Sequence, residues 1–127
     1  LVRLPDVTQE VPARRMSVAR GRLEGLSVEP DAAQLAMARI AALHAVKNAA
    51  SFVPAMVPFQ PTDAFSDISW AGGAVETTVT VQGFARTLLS SAALAGASAV
   101  LLSLLESAGH PAGARISALE IVQNVKD

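Results

Sequence analysis

The sequence predicts an α+β domain of ferredoxin-like topology, β-α-β-β-α-β, with an antiparallel sheet carrying both helices on one face. Three observations lead there. Residues 75–84 alternate apolar and polar, with Val75, Val79 and Val81 against Glu76, Thr80 and Gln82, the period of a strand with one buried face. Residues 115–125 are a second strand, with Ile116, Leu119, Ile121 and Val125 apolar. Two alanine-rich stretches, 31–50 and 87–108, have the length and composition of helices.

The elements follow in order. Residues 1–15 carry Pro5 and Pro12 without a sustained period and read as a flexible arm, leaving 16–127 as a single domain. Residues 16–26 alternate from Met16 and Val18 and again over Arg22-Leu23-Glu24, and read as an edge strand weakened by Gly21 and Gly25. Pro30 and Asp31 suit the start of a helix, where a proline needs no hydrogen-bond partner and an acid meets the positive end of the dipole. Leu35, Ile40, Leu43 and Val46 then recur at helical spacing. Pro54, Pro58 and Pro61 end that helix and hold 53–62 extended or in turns. Residues 63–70 form a strand, and Ala71-Gly72-Gly73-Ala74 is the hairpin turn into the next one.

The helix over 87–108 has no charge between Arg86 and Glu106. A helix apolar all round is one buried on two sides. The sheet covers one side, and the expected cover for the other is a second subunit. Gly96, Ala92 and Ala93 are small enough for close helix approach. Gly109 and Pro111 stop the helix.

Composition narrows the function classes. The chain has 127 residues, the size of one domain, with 51% apolar and 17% charged residues, too apolar for disorder. A net charge of −1 calls for neither nucleic acid nor an anionic membrane. The absence of cysteine excludes disulfides, thiolate metal sites and cysteine nucleophiles, and fits a cytoplasmic location.

Motifs that carry chemistry are sparse. His44 and His110 have no ligand partners at metal-binding spacing, so no metal and no cofactor is expected. No Walker or GxGxxG loop and no GxSxG elbow is present. Arg14, Arg15, Arg20 and Arg22 make a basic stretch, but no aromatic residue is interleaved to stack bases. Glu106 and His110, four apart, suit an i, i+4 pair at a helix end, where a His is favoured by the dipole. Arg39 and Lys47 share one helix face about two turns apart.

One segment resembles a known family. Residues 38–59 begin Ala-Arg-Ile-Ala, continue through Ala45-Val46-Lys47, and reach Val-Pro-Ala-Met-Val-Pro-Phe. This is similar to the helix and loop of cyclic pyranopterin monophosphate synthase, the MoaC family of molybdenum cofactor biosynthesis. That family writes Ala-Arg-Ile-Ala-Gly, then Ala-x-Lys, then Ile-Pro-Leu-Cys-His-Pro-Leu. Arg39, Lys47, Pro54 and Pro58 keep the frame without a gap. Val75 to Val81 and the stretch from Arg86 through Ser98 extend the likeness, which spans roughly 16–122.

The resemblance implies a ferredoxin-like fold and a homo-oligomer, a dimer or a hexamer built of dimers with sites at subunit interfaces. The departures imply that catalysis is lost. The family's His falls on Val57, its two helix glutamates on Ser90 and Ala92, and its first Lys near Asp31. Its Asp falls on Glu106 and the next Lys on Gly109. The family rearranges a cyclic guanosine triphosphate derivative and releases pyrophosphate, which needs proton transfers. Loss of one placed acid or base removes about 10²–10⁴ in rate, and here several are gone. The expectation is a catalytically inactive homologue with a structural or regulatory role, partnered by itself or by an active paralogue. No catalytic residue is expected on that reading; the alternative is a purine nucleotide-binding protein or enzyme with a rebuilt site, its candidates being the polar groups nearest the pocket that the resemblance implies, Arg39 and Lys47 to bind a purine triphosphate or pyrophosphate and Glu106 and His110 to exchange a proton.

Overall fold

A computed structural model describes residues 11–127. The order is β1 (Ala13–Glu24), α1 (Ala32–Lys47), α2 (Ala49–Phe52), β2 (Gln60–Ala71), β3 (Ala74–Ala85), α3 (Ser90–Ser107) and β4 (Arg115–Lys126). The four strands form one antiparallel sheet in the order β2-β3-β1-β4, and the helices pack on one face. This is the ferredoxin-like arrangement read from the sequence, with the single turn α2 added after α1.

Residues 1–10 of the expected arm lie outside the described residues. Ala13, Arg14 and Arg15 belong to β1. β1 is also not an edge strand. It is paired on both sides, with Arg20 opposite Thr78 of β3 and Glu120 of β4. Its alternation had a different cause from the one inferred. Ser17, Ala19, Gly21 and Leu23 are buried beneath the helices, while Arg14, Met16, Val18, Arg20 and Arg22 point to the open face. Small residues in β1 leave room for α3, whose Leu101 lies over Gly21. The edges are β2 and β4.

Local chemistry fixes the helices. Asp31 caps α1 by accepting the Gln34 N–H at 2.8 Å, and the Gln34 side chain accepts the Asp31 N–H at 2.9 Å. This reciprocal capping box satisfies two donors that the first turn leaves without partners. At the other end, Asn48 closes α1 by donating to the His44 carbonyl. Gly72 and Gly73 both have positive φ, 56° and 88°, and so make the two-residue β2–β3 turn expected of adjacent glycines.

The core lies between the sheet and the two long helices. It is built of Ala, Val and Leu, with Leu23, Val75, Val79, Val81, Leu101 and Leu104 fully buried. Alpha-3 is buried on two sides, as its composition requires, but the second cover is α1 of the same chain. A Cβ at Gly96 would stand 2.9 Å from Val79 Cγ1 and 3.0 Å from Val46 Cγ2, so the residue has no room to grow. Apolar helix surface is left bare on α1, where Met37, Ile40 and Leu43 remain 63, 57 and 39% exposed, and at Phe52 of α2 and Leu102 of α3.

Alpha-3 is long and apolar enough to cross a membrane by length and composition, with mean hydropathy 1.4. In this fold, Ala92, Ala93, Ala97, Val100, Leu101 and Leu104 on it are packed into the core.

Candidate functional site

The four candidate residues occupy separate places. Glu106 and His110 do meet: His110 Nε2 lies 2.8 Å from Glu106 Oε2. The pair forms because α3 ends in a tight reversal. His110 N–H donates to the Leu105 carbonyl, Gly109 has φ 78°, and His110 itself takes φ 54°. Both side chains are largely exposed, at 73 and 58%. Water on all sides gives such a pair little power over a proton, because nothing desolvates either group or holds a substrate against it.

Arg39 and Lys47 lie on the opposite, β2-facing flank of α1. Arg39 borders a hollow of about 320 Å³ between α1 and β2, lined mainly by Ile40, Leu43, Val46, Ala64 and Phe65. Lys47 borders an adjoining hollow of about 220 Å³ that shares Leu43, Val46 and Ala64 and adds Asp63. The two form one apolar trough with a cation at each end, about 12 Å apart along the helix. Gln34, in the first turn of α1, touches Ser107 at the end of α3. Lys47 is about 20 Å further along α1, so it cannot act with Glu106 and His110 on one small substrate.

The positions that align with the catalysts of the family the sequence resembles are occupied structurally. Ala92 is 0% exposed. Ser90 donates to Asn124 Oδ1 at 3.1 Å, and Asn124 also accepts from buried Ser17. Asp31 is committed to capping α1. Val57 sits half-buried in the loop after α2. Among the described residues no three His, Asp or Glu side chains gather as a metal would require.

Two arrangements escaped the sequence reading, both on the open face of the sheet. The largest hollow, about 480 Å³, lies where β1 begins and β3 and β4 end, walled by Arg14, Met16, Thr62, Phe84, Val125 and Asp127. Arg14 stands 5.7 Å above the Phe84 ring, a cation–π contact made across the β1–β3 pair. An aromatic residue therefore does adjoin the basic stretch, but it comes from a strand some seventy positions away. Arg14, Arg15 and Asp127 are the ionised side chains that line this hollow.

The second arrangement is an ion-pair cluster at the other end of the face. Arg22 bonds Glu24 at 3.0 Å and Glu76 at 2.9 Å, and Arg115 reaches Glu24 at 3.1 Å. Hydrogen bonds from Arg22 and then Arg115 hold the Glu24 carboxyl below its usual range. The same contacts with Glu24 and Glu76 raise Arg22. The i, i+2 spacing of Arg22 and Glu24 could have signalled a shared face. Their partners depend on the register with β3 and β4.

The described site features define an α+β ferredoxin-like domain with an apolar flank and no converging catalytic set. No family model matches the chain, and a search of curated proteins returns no match.

Proposed function

We infer that this protein is a catalytically silent, MoaC-like subunit related to molybdenum cofactor biosynthesis, cytoplasmic, with a structural or regulatory role in an oligomer. The observation that carries this reading is the dispersal of its polar candidates. Glu106 and His110 pair only with each other at an exposed helix end, and Lys47 lies at the far end of α1. The buried Ala92 adds support, since a glutamate there would sit in the core. The exposed apolar stripe on α1 is what an assembly subunit would bring to its partners.

Native mass spectrometry of the purified chain, alone and mixed with an active synthase from the same cell, tests this. A homo- or hetero-oligomer without turnover of the synthase substrate is the expected result. A lone monomer in both samples, or turnover, defeats it.

A second reading is purine nucleotide binding on Arg39 and Lys47, favoured by their placement along one trough. Thermal melts with guanosine triphosphate and with pyrophosphate separate the two. Ligand at about 100 times its Kd stabilises the fold by roughly 2.7 kcal/mol. A melting shift that vanishes when Arg39 and Lys47 become alanine would move this reading ahead.

A further inference from the structure

The trough between α1 and β2 has a floor of side chains that belong to the core. Ala42, Val46 and Val79 are 4, 1 and 1% exposed, yet they line the larger of its two hollows. The walls are Ile40 and Leu43 of α1 and Ala64 of β2. All six side chains are aliphatic. Ser66 is the one uncharged polar residue along this hollow. Phe65, which alternates with Ala64 and Ser66, turns its ring toward the other face of the sheet. Arg39 closes one end, and among the described residues it makes no ion pair. Leu43, Val46 and Ala64 also line the adjoining hollow, so the trough continues toward Lys47.

We propose that this trough binds an unbranched aliphatic carboxylate of about ten carbons, a medium-chain fatty acid anion, with its head on Arg39 and its chain running toward Lys47. The site lies within one chain and does not rest on the assembly reading.

Three features select this ligand. The first is the lining. A purine carries ring nitrogens and exocyclic groups that need hydrogen-bond partners, and a floor of Ala and Val leaves them unpaired. An alkyl chain has no such groups. Each methylene taken fully from water strengthens binding about fourfold, and in a trough open along one side about twofold.

The second is charge. Arg39 offers a planar fork of donors that matches a carboxylate, and no acidic residue lines its hollow. At the other end Asp63 shares the hollow with Lys47. Asp63 repels a carboxylate there and offsets the Lys47 charge, so the head group belongs at Arg39 and a single charge suffices. The Lys47 stem lies along the ligand chain while its ammonium stays in water.

The third is length. Arg39 and Lys47 are about 12 Å apart along α1. An extended chain advances about 3.6 Å over three bonds, so about ten bonds cover that span. The larger hollow alone, about 320 Å³, falls within the range of about 300–1,000 Å³ usual for ligand sites.

Calorimetric titration of the full chain with decanoate, kept below its micelle concentration, tests this. Saturable binding is expected. Hexanoate, four methylenes shorter, should bind roughly sixteenfold more weakly at about twofold per methylene. Decyltrimethylammonium, with an equal chain and the opposite head charge, should bind at least about tenfold more weakly. Arg39→Gln should weaken decanoate about tenfold and leave decan-1-ol unchanged, because only the charged head uses the guanidinium. Leu43→Glu, at a position 39% exposed, should abolish binding of both with unchanged circular dichroism. In methyl NMR spectra decanoate should move the Ile40 signal and leave Ile116 of β4 in place. No binding of decanoate overturns the proposal. So does equal affinity for decanoate and decyltrimethylammonium, which marks detergent-like adsorption. Binding that survives both substitutions puts the site elsewhere and overturns it as well.

Discussion

The Gln34 side chain donates from Nε2 to the Ser107 carbonyl at 3.2 Å, tying the first turn of α1 to the last turn of α3. The same residue accepts the Asp31 N–H through its oxygen. One side chain thus completes a capping box and occupies a carbonyl that the end of α3 cannot satisfy for itself.

Gln34→Ala should therefore cost about 1–2 kcal/mol, the sum of a weakened cap and one lost hydrogen bond. Gln34→Glu keeps an acceptor for Asp31 but has no donor for Ser107, so it should fall between the two. Urea denaturation with unchanged slope would measure both. A loss below a few tenths of a kcal/mol for Gln34→Ala would mean the tie is not maintained in solution.

Gly96→Ala should destabilise by about 1–3 kcal/mol, because the added methyl enters the space between Val79 and Val46. The usual gain from replacing a helical glycine by alanine is smaller, about 1 kcal/mol, and cannot offset the crowding. A stabilised Gly96→Ala protein would show that α1 and α3 are further apart than described.

Ala92→Glu places a carboxylate where the synthase family that the sequence resembles keeps one, yet the residue is 0% exposed and packed in the core. Burying an unpaired carboxylate costs several kcal/mol. The variant should lose most of its stability by thermal melt and gain no synthase turnover. A folded Ala92→Glu protein with activity would refute the reading of that position.

Acid should weaken the open-face cluster. The Glu24 carboxyl is held below its unfolded value of about 4.5 by Arg22 and Arg115. A depressed carboxylate contributes stability above its unfolded pKa and loses it as pH falls through the folded one. Stability should thus decline as pH drops below about 4.5, and Glu24→Gln should flatten part of that decline. The Glu24 side chain is 32% exposed and its Arg115 partner is at the surface, so salt should reduce the effect. An identical acid profile for Glu24→Gln would rule the cluster out as a contributor.

The exposed pair at the end of α3 should be nearly silent. Glu106→Gln should change stability by less than about 1 kcal/mol, as for surface ion pairs in general. A larger loss in a thermal melt would mean the pair does more than brace a helix end.

Much of this fold was legible because each element states its own period. The strand from Ala74 to Ala85 shows its buried face in Val75, Val79 and Val81, and the turn before it announces itself in Gly72 and Gly73. The place of β1 was not legible. Its buried face is made of Ser17, Ala19 and Gly21, residues that look equally at home on an edge, and only the long-range pairing with β3 and β4 shows otherwise. The same limit applied to α3. Its small residues promised a close neighbour, but composition does not say whether that neighbour is another subunit or α1. Of the candidate residues, the i, i+4 spacing of Glu106 and His110 did bring them together. Lys47 and Glu106 are kept apart by the antiparallel run of α1 against α3, which no local spacing records. Arg14 meeting Phe84 likewise depends on register alone.

The pairing of β1 with β4 sets Arg15 opposite Lys126. β1 precedes the other strands and β4 follows them, so β1 gains one of its two neighbours only after the elements between them are made. Until β4 pairs, β1 is itself an edge strand, and once it does the edge passes to β4. Contacts this distant slow folding, since a long loop must close before they form. The twelve residues of β4 thus move that edge from β1 to a strand with irregular pairing and three charges, which is less prone to stray strand pairing.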